Sequence, residues 1–161
     1  MIKGLLFDLD GVLVDTARFH FQAWKKLAQE LGTDITIEQN EKLKGVSRVD
    51  SLNYILEWGN ISLSETDKQA ALIKKNAHYL SLCDNLTAKD CLPGVLNLLA
   101  DAGEMGLELG LGSASKNALY ILKKLQISTY LDCLIDGTKT TKGKPDPQVF
   151  LMGAQELRLD P

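Results

Sequence analysis

Two carboxylates one leucine apart close the first apolar run of the chain, in Phe7-Asp8-Leu9-Asp10-Gly11-Val12. Residues two apart on an extended backbone point the same way, so Asp8 and Asp10 would share a face at the end of a strand. Like charges so placed repel, and a bound cation or phosphoryl chemistry would give a reason to keep them. Gly11, lacking a Cβ, lets the backbone turn sharply or approach a ligand closely. A second group is Gly112-Ser113-Ala114-Ser115-Lys116-Asn117, between an alternating apolar run and a helical pattern. Hydroxyls and free N–H groups at a helix start bind anions, and Lys116 adds charge; an ordinary helix cap reads the same way. Third, Lys144 precedes Pro145 in a polar loop. Proline biases Lys144 toward an extended conformation, although an isolated lysine in such a loop is usually just solvated.

Further along stands Lys44-Gly45-Val46-Ser47-Arg48-Val49-Asp50-Ser51. Arg48 offers a planar fork suited to bidentate phosphate binding, while Ser47 reads equally as a helix cap and Arg48 as a surface charge. His20 and Trp24 fall one helical turn apart on a shared face, which a half-buried helix explains as well. Lys75-Asn76 is a fainter polar pair in another helical stretch.

Elements must hold these groups. Ile2 to Leu9 is a short apolar run bounded by a turn, as expected of a strand buried on both faces. Phe19, Ala23, Leu27 and Leu31 then recur every four residues until Gly32, an amphipathic helix with a glycine stop. Thr36 with Gln39 fits a capping box, opening a short helix that ends at Gly45. Ser47 opens a third helix, with Val49, Leu52, Ile55 and Leu56 expected inside. A fourth begins near Ser62–Glu65, with Ala70, Ile73, Ala77 and Leu80 expected on its apolar face. From Leu92 strand and helix alternate: a helix behind Pro93, a strand over Leu107–Ser113 and a helix over Asn117–Leu125. A strand over Leu131–Ile135 and a helix over Pro147–Leu157 follow. Strands separated by helices imply a parallel sheet with right-handed crossovers, whose ligands bind beyond the strands' carboxyl ends. The expected fold class is α/β, a doubly wound parallel sheet formed by 1–15 and 90–161, with a helical cap inserted at 16–89. Glu108-Leu-Gly-Leu-Gly112 is glycine-rich for a central strand.

Bulk properties narrow the partners. The 161 residues are 45% hydrophobic with a net charge of −3, enough apolar content for a core and no basic tract for nucleic acid. Cys83, Cys91 and Cys133 are an odd number at unrelated spacings and read as free thiols in a reducing compartment. The first apolar run is broken by Asp8 and Asp10, unlike a signal peptide, and no apolar run is long enough to span a membrane. A cytoplasmic protein without nucleic-acid or membrane partners is expected.

The order of the three core groups is the informative feature. An apolar strand followed by Asp8-Leu9-Asp10-Gly11-Val12, then Ser113 after a second strand, then Lys144-Pro145 after a third, resembles the first three motifs of the haloacid dehalogenase-like superfamily. The cap stretch Lys44 to Ser51 is similar to that of its β-phosphoglucomutase branch. That resemblance implies a phosphotransferase interconverting β-D-glucose 1-phosphate and glucose 6-phosphate through an aspartyl-phosphate enzyme and a bound 1,6-bisphosphate. It implies Asp8 as nucleophile, Asp10 as general acid/base, and Mg²⁺ held by Asp8 and Asp10. Phosphate and sugar contacts would come from His20, Trp24, Lys44, Gly45, Val46, Ser47, Arg48, Ser51, Lys75, Ser113, Ala114, Ser115, Lys116, Asn117 and Lys144, with Thr16 in the hinge. Small-molecule sugar phosphates are the implied partners. A sugar-phosphate phosphatase of the same superfamily would carry the same core residues. The superfamily also places an acidic pair after a fourth strand, which the chain does not reach by Pro161. The core is thus expected to be incomplete, with strand one at an edge. A truncated non-catalytic relative is the reading from another class, and self-association is expected of these 161 residues where a fuller form would be a monomer.

Overall fold

A computed structural model describes all 161 residues, which divide into two compact units, Met1–Thr16 with Asn85–Pro161 and Ala17–Asp84. Thr16 and residues 85–89 thus group with the sheet, not with the inserted helices.

The first unit is built on three parallel strands in the order β1 (Gly4–Phe7), β2 (Glu108–Gly112), β3 (Cys133–Ile135). Leu6 registers with Gly110 and Gly110 with Cys133. β1 pairs with β2 on one side only, so it is the expected edge. Helices α5 (Val95–Glu104), α6 (Ala118–Lys124) and α7 (Gln148–Glu156) complete the unit, with α5 on β2 and α7 running against all three strands. Alternation sends Leu109 and Leu111 to one face, both fully buried, and Gly110 to the other.

That alternation explains the glycines in a central strand. A Cβ on Gly110 would lie 2.5 Å from Cys133 Sγ and 2.6 Å from Leu6 Cδ2, and one on Gly112 would press on the Phe150 ring at 3.2 Å. Here α7 sits so close that no side chain fits beneath it. Gly110→Ala should therefore overpack the sheet, at a cost of about 1–3 kcal/mol. In a chain of this size each kcal/mol lowers the melting temperature by about 2–4 °C. An unchanged melting curve would show that Leu6 and Cys133 can yield and that the packing account is wrong.

The second unit is helical: α1 (Ala17–Glu30), α2 (Ile37–Glu41), α3 (Arg48–Trp58) and α4 (Glu65–Cys83). The expected capping box at α2 is present, with Gln39 N donating to Thr36 Oγ1 at 3.1 Å and Thr36 N to Gln39 Oε1 at 2.9 Å. Trp24, Leu27, Ile35, Leu52, Ile55 and Leu72 share one buried cluster.

Two apolar faces differ from expectation. Val49 is exposed, and Ser51 is buried on α3 in its place. On α4 the expected face is out of phase: Ile73 is 70% exposed, while Ala71, Leu72, Lys75, Tyr79 and Cys83 are buried. The inward face of α4 carries a lysine and a tyrosine, which apolar periodicity cannot register. No helix is long and apolar enough to cross a membrane, and the three cysteines are free thiols.

Candidate active site

β1 ends at Phe7, so strand alternation places neither aspartate. The loop after it does. The amides of Leu13 and Val14 turn back to Leu9 O at 2.9 and 3.2 Å, and Gly11 N donates to Val14 O at 2.8 Å. Gly11 has φ +79°, a left-handed conformation that glycine adopts without strain. Asp8 Oδ1 accepts the Leu9 N–H at 2.8 Å, and Asp8 Oδ2 pairs with Lys144 Nζ at 2.9 Å. Asp10 Oδ1 accepts a hydrogen bond from the hydroxyl of the fully buried Thr16. Lys144 thus engages Asp8, and the Thr16 hydroxyl engages Asp10.

Lys144 reaches Asp8 from the loop before α7, where its peptide bond to Pro145 is cis. Its Nζ also donates to Gly112 O at 3.1 Å and lies 4.9 Å from the Phe150 ring centre. The ammonium is therefore tied both to the end of β2 and to Asp8. The adjoining turn is self-organised: Ser115 N donates to Ser113 Oγ at 3.1 Å and Asn117 N to Ser115 Oγ at 3.2 Å. Ser113 is buried, and its own N–H pairs with Ile135 O at 2.9 Å. Ala114 and Lys116 are exposed. Hydroxyls and amides in the turn after β2, with a lysine that joins the end of β2 to the Asp8 carboxylate, are groups able to hold an anion.

No set of three His, Cys, Asp or Glu side chains converges into a metal cluster. Mg²⁺ needs none: one or two carboxylates, with phosphate oxygens and water, commonly complete its octahedron. The hard oxygen donors of Asp8 and Asp10 fit that set. Buried Asp136 instead serves its turn, accepting from Thr138 N at 2.8 Å and Thr138 Oγ1 at 2.5 Å.

In the helical unit, His20 and Trp24 of α1 come together with Lys75 of α4. Lys75 is only 3% exposed; its Nζ lies 3.0 Å from His20 Nδ1 and 4.5 Å from the Trp24 ring centre. Burial and the positive charges of Lys75 and Arg48 push the His20 imidazole down to about 3. Arg48 begins α3, half-buried, and that burial lowers its guanidinium. Ser47 caps the same helix, its Oγ accepting from Asp50 N at 3.1 Å and donating to Asp50 Oδ2 at 2.6 Å. Lys44 is paired with Glu41 at 2.7 Å, Gly45 turns at φ +74°, and half-buried Val46 donates its N–H to Leu43 O. Two residues escaped the sequence reading: Phe150 beside Lys144, and Tyr79 beside His20. The i,i+4 spacing from Lys75 to Tyr79 was the available signal for the second.

The family model for haloacid dehalogenase-like hydrolases matches residues 2–161. Over 162 residues the chain is 41% identical to β-phosphoglucomutase of Bacillus subtilis (strain 168), covering 99% of this chain and 72% of that protein. A solved structure of β-phosphoglucomutase from Clostridium difficile superposes with a TM-score of 0.94 at 46% identity, covering 99% of this chain and 72% of that one. A phosphorylated carbohydrates phosphatase of Thermotoga maritima is 28% identical, across 99% of this chain and 73% of that protein. With a parallel α/β sheet and the Asp8–Lys144 pair at its carboxyl end, the chain belongs to the haloacid dehalogenase-like hydrolase family, as an enzyme of its phosphotransferase type.

Proposed function

We propose that the chain interconverts β-D-glucose 1-phosphate and glucose 6-phosphate by passing a phosphoryl group through Asp8. The observation that carries this reading is the 2.9 Å pair of Asp8 and Lys144, anchored by Lys144 on Gly112 O. The 41% identity to a β-phosphoglucomutase supports the choice of sugar.

In the forward half-reaction phosphorylated Asp8 donates to the 6-hydroxyl of β-glucose 1-phosphate. The bond between phosphorus and the Asp8 oxygen breaks as the new phosphorus–oxygen bond forms, giving glucose 1,6-bisphosphate. Asp10 takes the hydroxyl proton. The bisphosphate then presents its 1-phosphate, Asp8 attacks that phosphorus, and Asp10 returns the proton to the departing sugar oxygen. Thr16, holding Asp10, keeps one oxygen of that acid/base engaged, and its place where the chain leaves the first unit suits a hinge. Lys144 offsets negative charge at the carboxylate as it becomes an acyl phosphate, and Ser113 with its turn binds the transferring group. Mg²⁺ held by Asp8 and Asp10 would neutralise further charge on the phosphoryl oxygens.

The other phosphate is assigned to Arg48 with the Lys44–Ser47 segment and Ser51 of the helical unit; Lys116 and Asn117 are assigned to phosphate binding at the end of β2. The sugar hydroxyls are assigned to His20, Trp24 and Lys75. The free thiols favour a cytoplasmic setting. The likeness to a phosphatase supports a second reading, in which water attacks the aspartyl phosphate. It would use the same Asp8, Asp10, Ser113 and Lys144.

Arg48→Ala tests the division of the two phosphates. A hydrogen bond to a charged group is worth about 1.5–3 kcal/mol, so isomerisation should slow by roughly 10–150-fold. Labelling of Asp8 by acetyl phosphate, which has no distal phosphate, should survive. Loss of both in a variant that still folds would remove Arg48 from the distal site.

A further inference from the structure

Tyr79 has no role in the chemistry described so far, yet it is fully buried and touches the residues assigned to the sugar. Its ring stacks on the His20 imidazole with centroids 4.1 Å apart and planes 23° from parallel. The same ring has the Lys75 ammonium 5.1 Å from its centre, while Trp24 holds that ammonium at 4.5 Å. A lysine is almost never this buried without partners. Two aromatic rings supply attraction for the cation, and His20 Nδ1 supplies an acceptor.

The contact also sets the imidazole's tautomer. An ammonium has donors only, so at 3.0 Å Nδ1 must accept from Lys75. The ring proton of neutral His20 then sits on Nε2. The pair therefore leaves the Nε2–H of His20 as a donor. Such a donor suits an oxygen acceptor, as on a sugar hydroxyl, but only while the imidazole keeps its orientation. A flipped ring would put the Cδ2 carbon where Nδ1 meets Lys75, losing that hydrogen bond, and would carry the Nε2 proton to the other edge of the ring. The stacked ring of Tyr79 opposes that flip. The charges acting on His20, Lys75 of α4 and Arg48 of α3, both oppose its protonation.

We infer that Tyr79 is a positioning residue: its ring fixes the plane of His20 beside the Lys75 ammonium, so that the imidazole Nε2–H meets a sugar oxygen as a preformed donor. The inference rests on the assignment of His20 and Lys75 to the sugar. Its main test is chosen to be independent of that assignment.

The chain has two histidines, so NMR of ring nitrogens and carbons resolves His20 against His78 as an internal control. In the parent and in Tyr79→Phe, His20 should remain the neutral Nε2–H tautomer from about pH 8 down to about pH 5. In Tyr79→Met, which fills space without a π face, His20 should show mixed tautomers and a pKa raised by about one unit or more. The KM for β-glucose 1-phosphate should rise about tenfold in Tyr79→Met and stay within about twofold in Tyr79→Phe, with acetyl phosphate labelling of Asp8 unchanged in both. Should Tyr79→Met fail to fold, fluorinated phenylalanines at position 79 keep the shape while draining the π face. KM should then rise stepwise with fluorine number. A folded Tyr79→Met with unaltered His20 tautomer and titration overturns the inference, as does a fluorine series without trend or a Tyr79→Phe as impaired as Tyr79→Met. His20→Ala with unchanged KM would instead overturn the sugar assignment, while the histidine spectra would still decide on Tyr79.

Discussion

Asp8→Asn should abolish turnover while leaving the protein folded. An amide cannot form the acyl phosphate, and no other carboxylate shares Asp8's contact with Lys144. Removing a nucleophile that works as part of a unit has cost about 10⁶ in kcat elsewhere, so activity should fall below detection. Stability should change little. Both side chains of the pair are partly exposed, at 35% for Asp8 and 25% for Lys144, and such pairs are worth about 1 kcal/mol or less. Lys144 also keeps its acceptor at Gly112 O. Paired measurement of the melting curve and of radiolabel transfer from acetyl phosphate checks this. Labelling of a folded Asp8→Asn protein at the parental rate would move the nucleophile elsewhere.

Asp10→Asn should divide the reaction into its steps. General acid–base help is worth about 10²–10⁴-fold, and the sugar-transfer step should lose that much. Phosphorylation of Asp8 by acetyl phosphate should fall by less than about tenfold, because acetate leaves without needing a proton. The asparagine keeps an oxygen for the Thr16 hydroxyl, so the loop need not rearrange. Single-turnover kinetics of the two steps separate them. Equal losses in both would mean that Asp10 supports the site's structure or charge and carries no proton.

The candidate core groups stand out in sequence because their residues are chemically unusual for their places: two aspartates closing an apolar run, hydroxyls after a second strand, a lysine before proline. Their type and order survive without coordinates. What placed them was less legible. The strand stops at Phe7, so the aspartates are set by the turn hydrogen bonds of Leu9 to Val14 and not by strand alternation. Gly110 looked weak for a central strand until Leu6 and Cys133 were found against it.

The helical unit shows the opposite failure. Apolar spacing points Ile73 and Ala77 of α4 inward, yet both are exposed. The residues that turn inward include Lys75 and Tyr79. A buried lysine needs partners brought from another helix, here His20 and Trp24 of α1. Such a pairing across 55 positions leaves no local periodicity. The places where the hydrophobic pattern fails are expected to be functional ones, which is a ground for proposing Lys75 of α4 as a sugar-site residue.

The central claim is that the phosphoryl group on Asp8 passes to sugar and not to water. It is tested most directly by following β-glucose 1-phosphate with ³¹P NMR in the presence of the protein, Mg²⁺ and a trace of glucose 1,6-bisphosphate. The account predicts that the resonance of the 1-phosphate gives way to that of glucose 6-phosphate, with inorganic phosphate a minor product. Accumulation of inorganic phosphate in step with loss of substrate, without glucose 6-phosphate, would contradict it and make the enzyme a phosphatase.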